Sequence, residues 1–126
     1  MGAAADLGSR ELRWLTPLPL WSGILAGPVA WALDLGISYA LVKWVCATRH
    51  QDVLHGITVG AFVLVCGGAA LSWLALQETM HAGPTDGGRP LQRARFMAIL
   101  GLTSCALFAL QIVAGAIPRW FIDACQ

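Results

Sequence analysis

Few residues of this chain could do chemistry, and they form two groups. Asp34 stands alone in the apolar stretch WALDLGISYALVKW, residues 31 to 44, while Cys46, His50, His55 and Cys125 lie at the borders of apolar stretches. A carboxyl group in apolar surroundings must find a polar partner or take up a proton, because desolvation disfavours its charged form. Two thiols and two imidazoles can form a disulfide, or hold Cu(I) or Zn. Which of these chemistries is open depends on the elements that carry the residues.

Those elements are apolar helices. The chain has 126 residues, 57% of them hydrophobic and only 12% charged, with a mean hydropathy of +0.66, a composition typical of membrane proteins. Three apolar runs, at about 21–45, 53–76 and 96–118, each supply the ~20 helical residues needed to cross a hydrocarbon core about 30 Å thick. Backbone amides in lipid must be satisfied within their own segment, and no stretch alternates with the period of a barrel strand. The expected fold is therefore all-α: a short N-terminal segment at 1–20, then a three-helix transmembrane domain at 21–126. In the N-terminal segment Ser9 is placed to cap a turn from Glu11 to Leu15, which Pro17 and Pro19 break. Ala30, Trp31 and Ala32 have the small-x-small form of a signal cleavage site, but the apolar run continues past them to Val45, as in a retained anchor.

Basic residues set the orientation. Arg10, Arg13, Arg89, Arg93 and Arg95 fall on one side, and Lys43, Arg49 and Arg119 on the other. This places the N-terminus in the cytoplasm and the C-terminus in the periplasm of a bacterial inner membrane. Trp14, Trp21 and Trp73 mark the inner interface and Trp44 and Trp120 the outer one, where an apolar ring with a polar N–H is favoured.

Small residues recur at helix-packing spacing: Gly23 with Gly27, Gly56 with Gly60, and Gly68 with Ser72. Close backbone approach at such pairs drives association in lipid. They either hold the three helices together or meet a larger partner.

At mid-membrane, Asp34 costs about 2.5 to 3.5 kcal/mol on insertion scales, while each Leu, Ile or Val returns about 0.3 to 0.6 kcal/mol. The nine such residues from Ile24 to Val45 offset it with little margin. The first and third helices run in the same direction. Asp34 lies 12 residues before Cys46 and Gln111 lies 14 before Cys125, so the two are nearly level. Gln111 shares a helical face with Ser104, seven residues earlier. An Asp34 to Gln111 contact is expected, with Ser38 or Tyr39 nearby; a contact to a partner subunit and a proton-carrying role are the alternatives.

Cys46 and Cys125 both fall on the oxidising side, where a disulfide persists. A Cys46 to Cys125 bridge is expected; the alternatives are free thiols and a metal site that adds His50 and His55. No cofactor is expected, since no histidine lies deep in a helix to ligate haem, and no nucleophile has an intramembrane base beside it. A net charge of +1 and the absence of a Gly-rich phosphate cradle leave no case for nucleic acid or nucleotide partners.

Two stretches carry a resemblance. GPVAWALDLGISYALVKWVCA resembles the opening helix of small three-helix bacterial membrane proteins found beside haem-copper cytochrome oxidase modules, and GRPLQRARFMAILGLTSCALF, with the later Ile-Pro and cysteine, is similar to their closing pattern. The pattern positions are Gly27, Pro28, Trp31, Tyr39, Cys46, Arg95, Phe96, Gly101, Ser104, Phe108 and Cys125, whereas Asp34 stands where the pattern has Gln or Asn. The family has no established activity to transfer. The resemblance implies a non-catalytic accessory subunit of a respiratory complex, with other membrane subunits and lipid as partners. The competing expectations are a periplasm-facing copper-handling or assembly factor built on Cys46, His50, His55 and Cys125, and a small proton-coupled transporter built on Asp34.

Overall fold

The computed structural model describes residues 17–81, 88–122 and Cys125. It is all-helical: α1 (Pro17–Thr48), α2 (Asp52–His81) and α3 (Gly88–Phe121). Each helix packs on the other two. The expected segment Ser9 to Leu15 lies outside the described residues.

Each helix runs further than its apolar stretch. Pro17 starts α1, at a position where a missing N–H and a fixed φ suit a helix, and Pro19 falls in the same first turn. The polar flanks QETMH and RPLQRAR continue α2 and α3 as helix, since Gln, Glu, Met, Leu and Arg are good helix formers. A turn of three residues, Arg49 to Gln51, joins α1 to α2, and Arg49 takes a left-handed φ of 58° directly after the helix end, where chains commonly reverse.

All three helices are long and apolar enough to cross a membrane: Leu20–Thr48, Asp52–His81 and Leu91–Phe121. At 1.5 Å per residue their 29 to 31 residues extend about 43 to 46 Å, the thickness of a bilayer with its headgroups. Only 22% to 28% of their most apolar windows is buried inside the molecule. Leu33, Val63, Leu107 and Leu110 all point outward, an apolar surface far beyond what a water-soluble monomer presents. These features together suggest a multi-pass membrane protein.

The interior is built from small side chains. One cluster holds Ala30, Ala61, Val65, Cys105 and Ile112, and the other holds Leu20, Ala75, Ala94 and Ala98. Between them each helix contributes one glycine. A Cβ added to Gly23 or to Gly101 would collide with Ser72 Oγ, and one added to Gly68 with the methyl of Ala26. A second glycine of α1, Gly27, faces Phe108 and Ser104 less tightly, at 3.0 and 3.3 Å from an added Cβ. Gly23, Gly27, Gly68 and Ser72 thus close this bundle, while Gly56 and Gly60 face outward with nothing within 4 Å of an added Cβ.

Pro28 adds a polar tie at this node. A proline in a helix has no N–H for the carbonyl four residues earlier, here Ile24. Ser104 Oγ on α3 donates to that carbonyl at 3.4 Å, and the Cys105 thiol donates to the neighbouring Gly23 carbonyl at 3.3 Å. A neighbouring helix thereby satisfies the group the proline releases.

Candidate functional site

Asp34 lies on the core-facing line of α1, in sequence with the buried Leu20, Gly23, Gly27, Ala30 and Ser38. These positions are three or four apart, so they share one helical face. Asp34 is 5% exposed, and its polar contacts come from the other two helices. Thr58 Oγ1 on α2 donates to Asp34 Oδ1 at 3.0 Å. Arg119 Nη1 on α3 donates to Thr58 Oγ1 at 2.7 Å and lies 3.6 Å from Asp34 Oδ1. The Thr58 oxygen also lies 3.2 Å from the Leu54 carbonyl. With one proton to give, the hydroxyl favours the nearer, charged acceptor. The result is a chain of donation, Arg119 to Thr58 to Asp34, across all three helices.

Magnitudes explain why the arrangement forms. At an effective dielectric near 20, opposite charges about 3.6 Å apart attract by on the order of 4 to 5 kcal/mol, comparable with the several kcal/mol that desolvating either buried charge costs. A pair so balanced adds little net stability. It specifies instead which face of α3 meets α1, because any other rotation would leave the carboxylate buried without its cation.

The expected Asp34 to Gln111 contact does not form. Ser104 meets Ile24, an offset of 80 residues, which sets Asp34 opposite position 114 and Gln111 within one turn of it, so the depth was right. The direction was not: Gln111 is exposed. Ser104 sits on the flank of the α3 core line. Seven residues fall about 20° short of two turns, so Gln111 is carried further out. Tyr39 also faces outward.

Sequence reasoning missed Thr58 and Arg119. It counted Arg119 only as an orienting charge, although Ala98, Cys105, Ile112 and Arg119 are each seven apart, and the first three are buried. That spacing signals a cation on the core line. Thr58 likewise falls between Leu54 and Ala61 on the buried face of α2. Ser38, one turn beyond Asp34, is buried, and its hydroxyl is the one buried side-chain oxygen among the described residues without a hydrogen-bond partner.

At the Thr48 end of α1 the chain is closed covalently. Cys46 and Cys125 form a disulfide with their Cα atoms 5.6 Å apart. The histidines point elsewhere. His50 Nδ1 is 2.8 Å from the Thr48 carbonyl and its ring lies against Trp44, while His55 packs edge-on against Trp120 with ring centres 5.8 Å apart. The four residues of the supposed metal set do not converge, and among the described residues no three His, Cys, Asp or Glu side chains gather as metal ligands would.

Beside the charge pair, α2 and α3 part to leave a groove of about 530 Å³. Thr58, Ile112 and Ala116 line it between walls that include Val59, Phe62, Val113 and Ile117, with His55, Trp120 and Phe121 at the end nearer the disulfide. No protein-family model, curated protein or solved structure matches the chain.

Proposed function

We propose that this chain is a non-catalytic accessory subunit that packs against a larger complex in a bacterial inner membrane, N-terminus in the cytoplasm and C-terminus in the periplasm. One observation carries the reading. Gly56, Gly60, Val63 and Gly67 form an outward line on α2, and a Cβ at any of its three glycines would meet nothing within 4 Å. Glycine inside a helix sacrifices about 1 kcal/mol relative to alanine. Three on one outward face is the pattern of a close helix-helix contact, and the bundle closes without them.

The orientation is supported by the balance of basic residues and by the disulfide at the Thr48 end of α1, since such bonds persist on the periplasmic side. The likeness of α1 and α3 to proteins found beside haem-copper oxidase modules directs the search to a respiratory complex. The charge pair acts here as an internal register, and no transported proton or bound copper is required of it.

The test is recovery of tagged protein from native membranes in mild detergent, with mass spectrometry and a haem spectrum of what accompanies it. Co-purifying haem-containing subunits that are lost from Gly60→Leu, while the variant itself stays folded and inserted, are the expected outcome. Recovery of the chain alone would overturn the accessory role.

A further inference from the structure

We propose that the groove between α2 and α3 is a binding site for a single phospholipid, whose acyl chains lie along its floor and whose phosphate meets Arg119, His55 and Trp120 at the outer end. The proposal rests on the membrane insertion proposed above and is otherwise independent of the subunit role.

The dimensions select the occupant. On α3 the lining runs from Ile112 to Phe121, ten residues whose nine steps of rise make about 13 Å of helix, close to the half-thickness of a hydrocarbon core of about 30 Å. The groove covers one leaflet's depth, the reach of acyl chains, and not the full length of α2 and α3 along which a partner helix would pack.

The lining selects the orientation. Val59, Phe62, Ile112, Val113, Ala116 and Ile117 offer no side-chain hydrogen bond over most of the length. Donors gather at one end. Trp120 contributes an indole N–H that can only donate, His55 a ring nitrogen, and Arg119, bonded to the groove-lining Thr58 and 23% exposed, a cationic fork of further donors. Such an end suits a phosphate, which guanidinium groups bind well, and Trp and Arg are at home at headgroup depth.

The test uses native mass spectrometry of the full chain after reconstitution into nanodiscs of phosphatidylethanolamine and phosphatidylglycerol, then again with diacylglycerol added in equal amount. One phospholipid per chain is expected to survive release from the nanodisc, in preference to diacylglycerol by about tenfold. Ala116→Phe, which fills the floor, should lower the lipid-bearing share about tenfold with the disulfide and helix content retained. Should that variant misfold, Val59→Trp on the exposed wall is expected to do the same. Equal retention of diacylglycerol, bare wild-type chains, lipid retention unchanged by the groove variants, or a second copy of the chain in place of lipid would each overturn the proposal. Failure of insertion is separately visible, as protein that alkaline carbonate strips from membranes.

Discussion

Thr58 turns a close approach of two charges into a hydrogen-bonded unit, accepting from Arg119 and donating to Asp34. Removing one partner of a buried pair leaves the other desolvated and unmatched, whereas removing both leaves two neutral groups that can still bond. Arg119→Gln or Asp34→Asn alone should therefore destabilise the folded chain by about 1 to 3 kcal/mol in micelles. The double variant Asp34→Asn with Arg119→Gln should recover most of that loss. A double-mutant cycle on denaturation midpoints measures the coupling; a value near zero would mean the 3.6 Å approach carries no energy.

At the scale of helices, the chemistry of single backbone atoms decides the packing. Pro28 frees the Ile24 carbonyl, Ser104 occupies it, and Gly23, Gly68 and Gly101 bring the three backbones close enough for the bond to form. The glycines divide into two kinds that sequence spacing does not separate. Gly68→Val should destabilise the isolated protein by about 1 to 3 kcal/mol through overpacking against Ala26. Gly60→Ala should leave it unchanged or raise its stability by up to about 1 kcal/mol, as helix propensity alone dictates. Equal effects of the two substitutions, read from thermal unfolding in detergent, would contradict this division. The spacing Gly-xxx-Gly was visible in both α1 and α2. Whether a given pair faces inward depends on helix rotation, which the small residues leave open on their own.

For the molecule as a whole, three helices pack side by side, and the disulfide at the Thr48 end of α1 joins residues 79 apart in the chain. Closing a loop of that length stabilises by up to ~4.5 kcal/mol in the chain-entropy model, less where helices already restrain the chain. Cys125→Ser should accordingly lower the unfolding midpoint and loosen the last turn of α3, and with it Arg119. The expected signs are faster proteolysis near the C-terminus and a weaker Asp34 to Arg119 coupling in the cycle above. An unchanged midpoint would mean that packing alone holds the end of α3. The same cysteine reports topology: after reduction it should react with a membrane-impermeant maleimide added from the periplasmic side.

Taken by itself, the sequence determined the fold class, the number of helices, their approximate limits and the pairing of Cys46 with Cys125. Each of these follows from one-dimensional quantities: apolar run length against a fixed rise per residue, and the helix ends that the two cysteines border. It also carried the depth of Asp34 relative to α3, for the same reason. Only the tertiary structure decided that Thr58 and Arg119, rather than Gln111, hold Asp34, and that Gly56 and Gly60 face away from the bundle. Those outcomes depend on rotation about each helix axis, where 20° per heptad separates a flank from a core line. That rotation is set jointly by the glycine contacts and the charge pair, which draw on residues from all three helices at once.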